Sequence, residues 1–253
     1  MKQIYVGSVQ KNKLYAKIQQ TLRLPIGVLV GVFVLLVLIP LLLKNKIFNN
    51  VSGTMSPVVY VETYTGTGSA VYVGNNNLLT AAHVVADMAI GDMCEIQFQD
   101  PNSVSGTVIN AVAELVAMGK YLPTRAQEED YALLRIHFLD ASRVAQACGF
   151  GNESMLKVGD PITVEGYAAG AWSTTKGTLS NIKGGILENN DLYVVDAKAW
   201  HGNSGGALFD KNNNLIGIVI SGGAIDGIND DQTYALKVSK IKAILSAKGF
   251  QLN

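Results

Sequence analysis

No acidic residue occurs before Glu62. The chain is also poor in metal-binding side chains, with 2 cysteines and 3 histidines in 253 residues. Cys94 and Cys148 are too few and too far apart for a zinc motif or a disulfide framework. His83, His137 and His201 form no ligand pattern, so no metal or other cofactor is expected. Internal repeats and low-complexity tracts are absent, which excludes solenoids and arrays.

The missing acidic residues make the N-terminal flank basic. Seven of the 20 basic residues precede Glu62, leaving 13 against all 20 acidic residues beyond that point, a formal net charge of −7. An acidic C-terminal part argues against nucleic acid as a partner. The basic flank surrounds an uncharged apolar run from Ile26 to Leu43. As a helix rising about 1.5 Å per residue, this run extends about 27 Å, near the hydrocarbon thickness of about 30 Å. Lys2, Lys11, Lys13, Lys17 and Arg23 lie before it and only Lys44 and Lys46 follow closely. The positive-inside bias predicts a cytoplasmic N-terminus and an extracytoplasmic C-terminal part. A cleaved signal peptide has the same orientation. The length of the run and the lack of an A-x-A site favour a retained anchor in the cell membrane.

The expected organisation is a basic tail over 1–25, a transmembrane helix over 26–43 and a linker over 44–57. The remainder alternates short β-branched and aromatic runs with glycine and asparagine turns. Strands are predicted at Val58–Tyr64, Ser69–Val73, Leu78–Thr80, Glu95–Gln99, Gly106–Val112, Tyr131–Ile136, Ile162–Gly166, Thr178–Ile182, Leu192–Ala197, Ala207–Phe209, Leu215–Ile220 and Thr233–Leu236. A short turn is expected at Ala82–Met88. Ile241, Ile244 and Leu245 are spaced for a helix over Ser239–Lys248, ending at Gly249. This pattern reads as an all-β domain with a C-terminal helix.

Three motifs carry chemistry. Thr80-Ala81-Ala82-His83-Val84 places a histidine after a small-residue run. Asp130 opens the apolar strand Tyr131–Ile136. Ser204 is framed by glycines in His201-Gly202-Asn203-Ser204-Gly205-Gly206. Singly, each reads as a structural histidine, a cap and a turn serine. Together, in the order His, Asp, Ser, they point to a serine nucleophile activated by an imidazole that a carboxylate orients. Asp130 is preferred over Glu128 and Glu129, which suit a solvated loop.

With Gly66-Thr67-Gly68-Ser69-Ala70-Val71, Lys176-Gly177-Thr178-Leu179-Ser180 and Leu215-Ile216-Gly217-Ile218-Val219, these motifs resemble the chymotrypsin-like serine peptidases, most closely the bacterial HtrA/Deg branch, from about Pro57 to Leu245. The resemblance implies two six-stranded antiparallel β-barrels, over 58–140 and 141–253, with the catalytic groups between them. It implies His83 as base, Asp130 as its orienter, Ser204 as nucleophile and the N–H groups of Gly202 and Ser204 as the oxyanion hole. It also implies an S1 pocket from Lys198 to His201 together with Ile220, Ser221 and Gly222, where a protein or peptide substrate would add as a strand. No acidic residue lies at the expected pocket base, so an Arg or Lys preference is not expected. Lys198 points either to acidic P1 residues or, as preferred, to solvent beside a pocket for small or medium apolar side chains.

Two departures from the family pattern stand out. The PDZ domain usual in HtrA enzymes is expected to be missing, and nothing in the sequence supports an oligomer. Asn203 stands where digestive-type relatives carry an aspartate, so activation by propeptide cleavage is not expected. A catalytically silent binding module of the same fold is the alternative, although neither a triad member nor a flanking glycine is missing. An esterase reading through the G-x-S-x-G match fails, because that class places its histidine last and needs a parallel sheet. Cys94 and Cys148 read as buried thiols, with a disulfide permitted in this compartment.

Overall fold

In the computed structural model, the structure describes residues 55–102, 107–120, 129–183, 190–222 and 232–252. The apolar run over 26–43 and its basic flank lie outside them. Among the described residues, no helix is long and apolar enough to cross a membrane.

Twelve strands form two closed barrels. The first comprises β1 (Val58–Glu62), β2 (Thr67–Gly74), β3 (Asn77–Thr80), β4 (Met93–Gln99), β5 (Val108–Met118) and β6 (Ala132–His137), in the spatial order β1-β2-β3-β6-β5-β4. The second comprises β7 (Pro161–Ala168), β8 (Ala171–Asn181), β9 (Leu192–Val195), β10 (Ala207–Asp210), β11 (Leu215–Gly222) and β12 (Thr233–Lys237), in the order β10-β11-β12-β9-β8-β7. The expected pair of six-stranded antiparallel barrels is therefore present. Each predicted strand overlaps an observed one.

The alternation read from the sequence sets which face turns inward. On β4, Cys94, Ile96 and Phe98 are buried while Met93 and Glu95 are exposed. In the second barrel, Ile162, Val164, Leu179, Tyr193, Val195, Leu208, Ile216 and Val219 share one core. The β2–β3 hairpin turns through Asn75 (φ 52°) and Asn76 (φ 58°), the left-handed geometry that asparagine tolerates. The Asn76 side chain then ties the hairpin to the connection between the barrels, donating to the Leu139 carbonyl at 2.8 Å and accepting the Ala141 N–H at 3.1 Å.

Helix α1 (Val238–Ala247) buries Val238, Ile241 and Leu245 and packs on β11 and β12. Gly249 (φ 87°) ends it, with the Phe250 N–H reaching back to the Leu245 carbonyl at 2.9 Å.

Most strands extend past their predicted bounds by one or two residues, and two run much further. β5 continues to Met118, and β8 begins at Ala171 rather than Thr178. The early part of β8 is polar and largely exposed, so it carries no apolar alternation. It is a strand because the two-residue turn Ala169-Gly170 folds it back along β7, pairing Ala168 with Ala171. Cys94 and Cys148 are free and buried, and burial pushes their thiols up to about 11 and about 12.

Candidate active site

Adjacent strands bring His83 and Asp130 together. β3 pairs with β6 in antiparallel register, Thr80 opposite Ala132. His83 follows three residues beyond the end of β3, in a 3₁₀ turn over Ala82–Val85, and Asp130 lies two residues before the start of β6. Ala81 and Ala82 are buried, so small side chains let the turn press against the barrel. Asp130 Oδ2 lies 2.7 Å from His83 Nδ1, and Asp130 Oδ1 accepts the backbone N–H of His83 at 2.9 Å. The aspartate side chain is 2% exposed and the histidine 25%. An ionised carboxylate only accepts hydrogen bonds. In the neutral ring the proton therefore sits on Nδ1, which leaves the lone pair on Nε2.

The Ser204 loop joins β9 to β10, and its backbone is fixed peptide by peptide. The Ala169 N–H holds the His201 carbonyl at 2.8 Å, and the Gly206 N–H holds the Asn203 carbonyl at 2.9 Å. In a planar trans peptide the N–H points opposite to the C=O. The N–H groups of Gly202 and Ser204 therefore face away from these anchors, and among the described residues neither has an acceptor. Between them, the Asn203 N–H donates to the Trp200 carbonyl at 2.9 Å. Gly202 has φ 97°, and a Cβ there would drive into the Tyr167 carbonyl. A side chain is thus excluded by both backbone and space.

Ser204 is half-buried, and its carbonyl accepts the Ser69 N–H at 2.8 Å. Its hydroxyl has no hydrogen-bond partner among the described residues. Gly68 marks how closely the two halves approach. A Cβ on it would lie 2.7 Å from a methyl of Val84, next to His83, and 3.1 Å from the Ser204 carbonyl oxygen. The barrels also meet through Tyr60 and Tyr167, whose rings pack edge to face at 5.8 Å.

The other predicted residues surround this loop. Lys198 is exposed, and its carbonyl accepts the Thr175 hydroxyl at 2.7 Å. His201 is exposed, and Ile220 is buried on β11. Ser221 and Gly222 continue β11, pairing with Tyr234 and Thr233 of β12. On the β10 side, the ladder passes through Val219, which exchanges hydrogen bonds with Gly205 and Gly206. His137 lies elsewhere, 2.7 Å from Glu114 on neighbouring strands of the first barrel. Among the described residues, no group of three or more His, Cys, Asp or Glu side chains could hold a metal. Sequence reasoning did not single out Ser69, Tyr167 or Ala169 individually. Ala169 and Tyr167 act through backbone N–H groups that every residue but proline possesses, and the Ser69 hydroxyl meets partners 98 and 133 positions away.

Comparison with known proteins places the chain in a family and a fold. The model of the trypsin-like peptidase domain family matches residues 68–218. The chain is 24% identical over 195 residues to a "Serine protease HtrA-like" protein of Staphylococcus aureus (strain bovine RF122 / ET3-1), covering 72% of this chain and 22% of that protein. It thus spans about a fifth of that relative's length. Among solved structures, the inactive form of the Rv3671c protease superposes with a TM-score of 0.56 at 22% identity, covering 78% of this chain and 91% of its own; a related structure of Rv3671c is from M. tuberculosis H37Rv. The HtrA-type protease AlgW with a tripeptide superposes with a TM-score of 0.58 at 24% identity, covering 79% of this chain and 62% of its own. These two likenesses establish a shared fold. With the family match extending over more than half of its length, the chain belongs to the trypsin-like peptidase domain family of serine peptidases, with HtrA-like proteases among its relatives.

Proposed function

We propose that the chain is a membrane-anchored serine endopeptidase acting on protein or peptide substrates outside the cytoplasm. Ser204 Oγ attacks the scissile carbonyl carbon while its proton passes to His83 Nε2. Asp130 keeps the Nδ1 proton in place and stabilises the imidazolium. The carbonyl oxygen, now an oxyanion, receives the N–H groups of Gly202 and Ser204. As the C–N bond breaks, His83 protonates the leaving amine, and water activated by His83 then hydrolyses the acyl-enzyme. The serine–histidine hydrogen bond forms as substrate seats, a tightening common when a substrate-free enzyme binds.

The observation that carries this reading is the pair of N–H groups at Gly202 and Ser204, without acceptors among the described residues while the carbonyls beside them are anchored. A silent binding module has no need for that arrangement. Substrate is proposed to extend along Ile220–Gly222 as an added strand, in keeping with AlgW structures holding a tripeptide and a decapeptide. The exposure of Lys198 favours a P1 pocket for small or medium apolar residues over one for acidic residues. The Ile26–Leu43 run and its basic flank support the anchor and its orientation.

Labelling with a fluorophosphonate probe tests the chemistry. The native chain should label at Ser204 and cleave unfolded casein, and Ser204→Ala should lose both. Undiminished cleavage by that variant removes Ser204 from the mechanism. Alkaline carbonate extraction tests the anchor: the full chain should stay with the membrane, and release into the wash contradicts it.

A further inference from the structure

Ser69 lies on β2 of the first barrel, is fully buried, and spends its side chain on the second barrel. Its hydroxyl donates to the Gly202 carbonyl at 2.7 Å and accepts the Tyr167 N–H at 2.9 Å. Its backbone N–H donates to the Ser204 carbonyl at 2.8 Å, and its own carbonyl accepts the Thr80 hydroxyl at 2.7 Å. One residue therefore touches the loop on both sides of Asn203 and also the end of the strand that leads to His83.

The peptide it grips matters most. The two N–H groups that lack an acceptor among the described residues belong to the 201–202 and 203–204 peptides. The 202–203 peptide is the link between them, and its carbonyl is held by the Ser69 hydroxyl. If that peptide rotates, ψ of Gly202 and φ of Asn203 change, and the N–H groups on either side tilt relative to each other. Gly202, without a Cβ, offers little resistance to such rotation. The peptide therefore depends on its two hydrogen bonds, the Asn203 N–H to the Trp200 carbonyl and the Ser69 hydroxyl to the Gly202 carbonyl. The hydroxyl oxygen donates to this carbonyl and accepts the Tyr167 N–H at once. In a site closed to water, no solvent replaces either bond.

We infer that Ser69 is a positioning residue, which locks the oxyanion loop in its productive form by tying the Gly202 carbonyl to the docked first barrel. The inference rests on the serine-peptidase reading above and adds a residue to it. It makes the geometry of the hole depend on how the barrels dock.

The test uses the full-length chain in detergent, with a chromogenic peptide substrate and a peptide aldehyde. The aldehyde carbon adds Ser204 Oγ, the hydroxyl proton moves to His83, and the resulting hemiacetal oxyanion reports the hole directly. Ser69→Ala should lower kcat about 10- to 100-fold, the scale expected for a small misplacement of catalytic groups. KM should stay within about threefold, and aldehyde affinity should weaken by the same factor as kcat, at temperatures where circular dichroism shows a folded protein. Ser69→Cys, close in size with a weak S–H donor, should move both in the same direction; it serves as the readout if the alanine variant does not fold. A kcat and an aldehyde affinity within twofold of the native values, with only a lower melting temperature, would assign Ser69 to packing and overturn the inference. A fall in kcat without a fall in aldehyde affinity would overturn it too. Native protein that is inactive and unlabelled at Ser204 instead defeats the peptidase reading itself.

Discussion

The carboxylate of Asp130 holds His83 at two points, with one oxygen on the ring nitrogen and the other on the backbone N–H. The grip fixes both where the imidazole sits and which nitrogen is protonated. Asp130→Asn separates these two effects. The amide oxygen can still accept the backbone N–H, so the loop stays in place. The amide nitrogen then faces Nδ1 as a donor, which forces the proton onto Nε2 and leaves no base for Ser204. Steady-state kinetics at neutral pH should show kcat lower by about 10⁴-fold with a nearly native melting temperature, as a wrong tautomer predicts. A loss under tenfold would mean that Asp130 does not orient the base.

Gly202→Ala tests the loop from the opposite side. The substitution adds a Cβ at φ 97° and aims it at the Tyr167 carbonyl, so the 201–202 peptide must turn. Losing one oxyanion donor costs about 10²–10³ in kcat, and a fall of that size should appear with substrate binding largely retained. Native turnover by this variant would show that the Gly202 N–H is not used.

Much of this was legible because it is local. Strands with alternating Val, Ile and Leu announced themselves, as did the histidine, aspartate and serine, each inside a short motif at an element boundary. Polar strand sequence was not legible. Ala171–Gly177 is β because of its partner and its turn, and its own residues carry no such pattern. Contacts made by backbone atoms were equally silent, since any residue but proline at 167 or 169 would supply the same N–H. The Ser69 hydroxyl appeared in the sequence only as one letter of a glycine-rich motif. Its job depends on a partner 133 positions away.

Glu165 predicts a pH dependence of stability. It sits on β7 partly out of water, and desolvation raises its pKa above the ordinary carboxylate value. No hydrogen bond or ion pair offsets this among the described residues. The folded protein therefore holds the Glu165 proton more tightly than the unfolded chain. Between the unfolded and folded pKa values the unfolded state binds fewer protons, so this group's contribution falls as pH rises through that window and stays low above it. Glu165→Gln removes the charge. Melting temperatures measured from acidic to neutral pH should show the variant gaining on the native chain as pH rises. A difference that does not change with pH would contradict the assignment.

Asn203 carries the last prediction. It is fully buried against Gly166, and among the described residues neither its side-chain oxygen nor its nitrogen has a hydrogen-bond partner. An aspartate at this position needs a buried cation. Asn203→Asp therefore places an unpaired carboxylate in a dry site, which costs about 3–5 kcal/mol when no partner is present. Part of that cost is avoided by keeping the proton, so the new group's folded pKa must rise. By the same linkage, the variant's deficit should be small at pH 5 and grow towards pH 8 in urea titrations. Asn203→Leu has similar bulk and removes the two unsatisfied polar atoms; it should be close to neutral or slightly stabilising. If Asn203→Asp instead were as stable as the native chain at pH 8, a cation would have to reach the site, and activation by a charged group under the Ser204 loop would return as a workable mechanism for this enzyme.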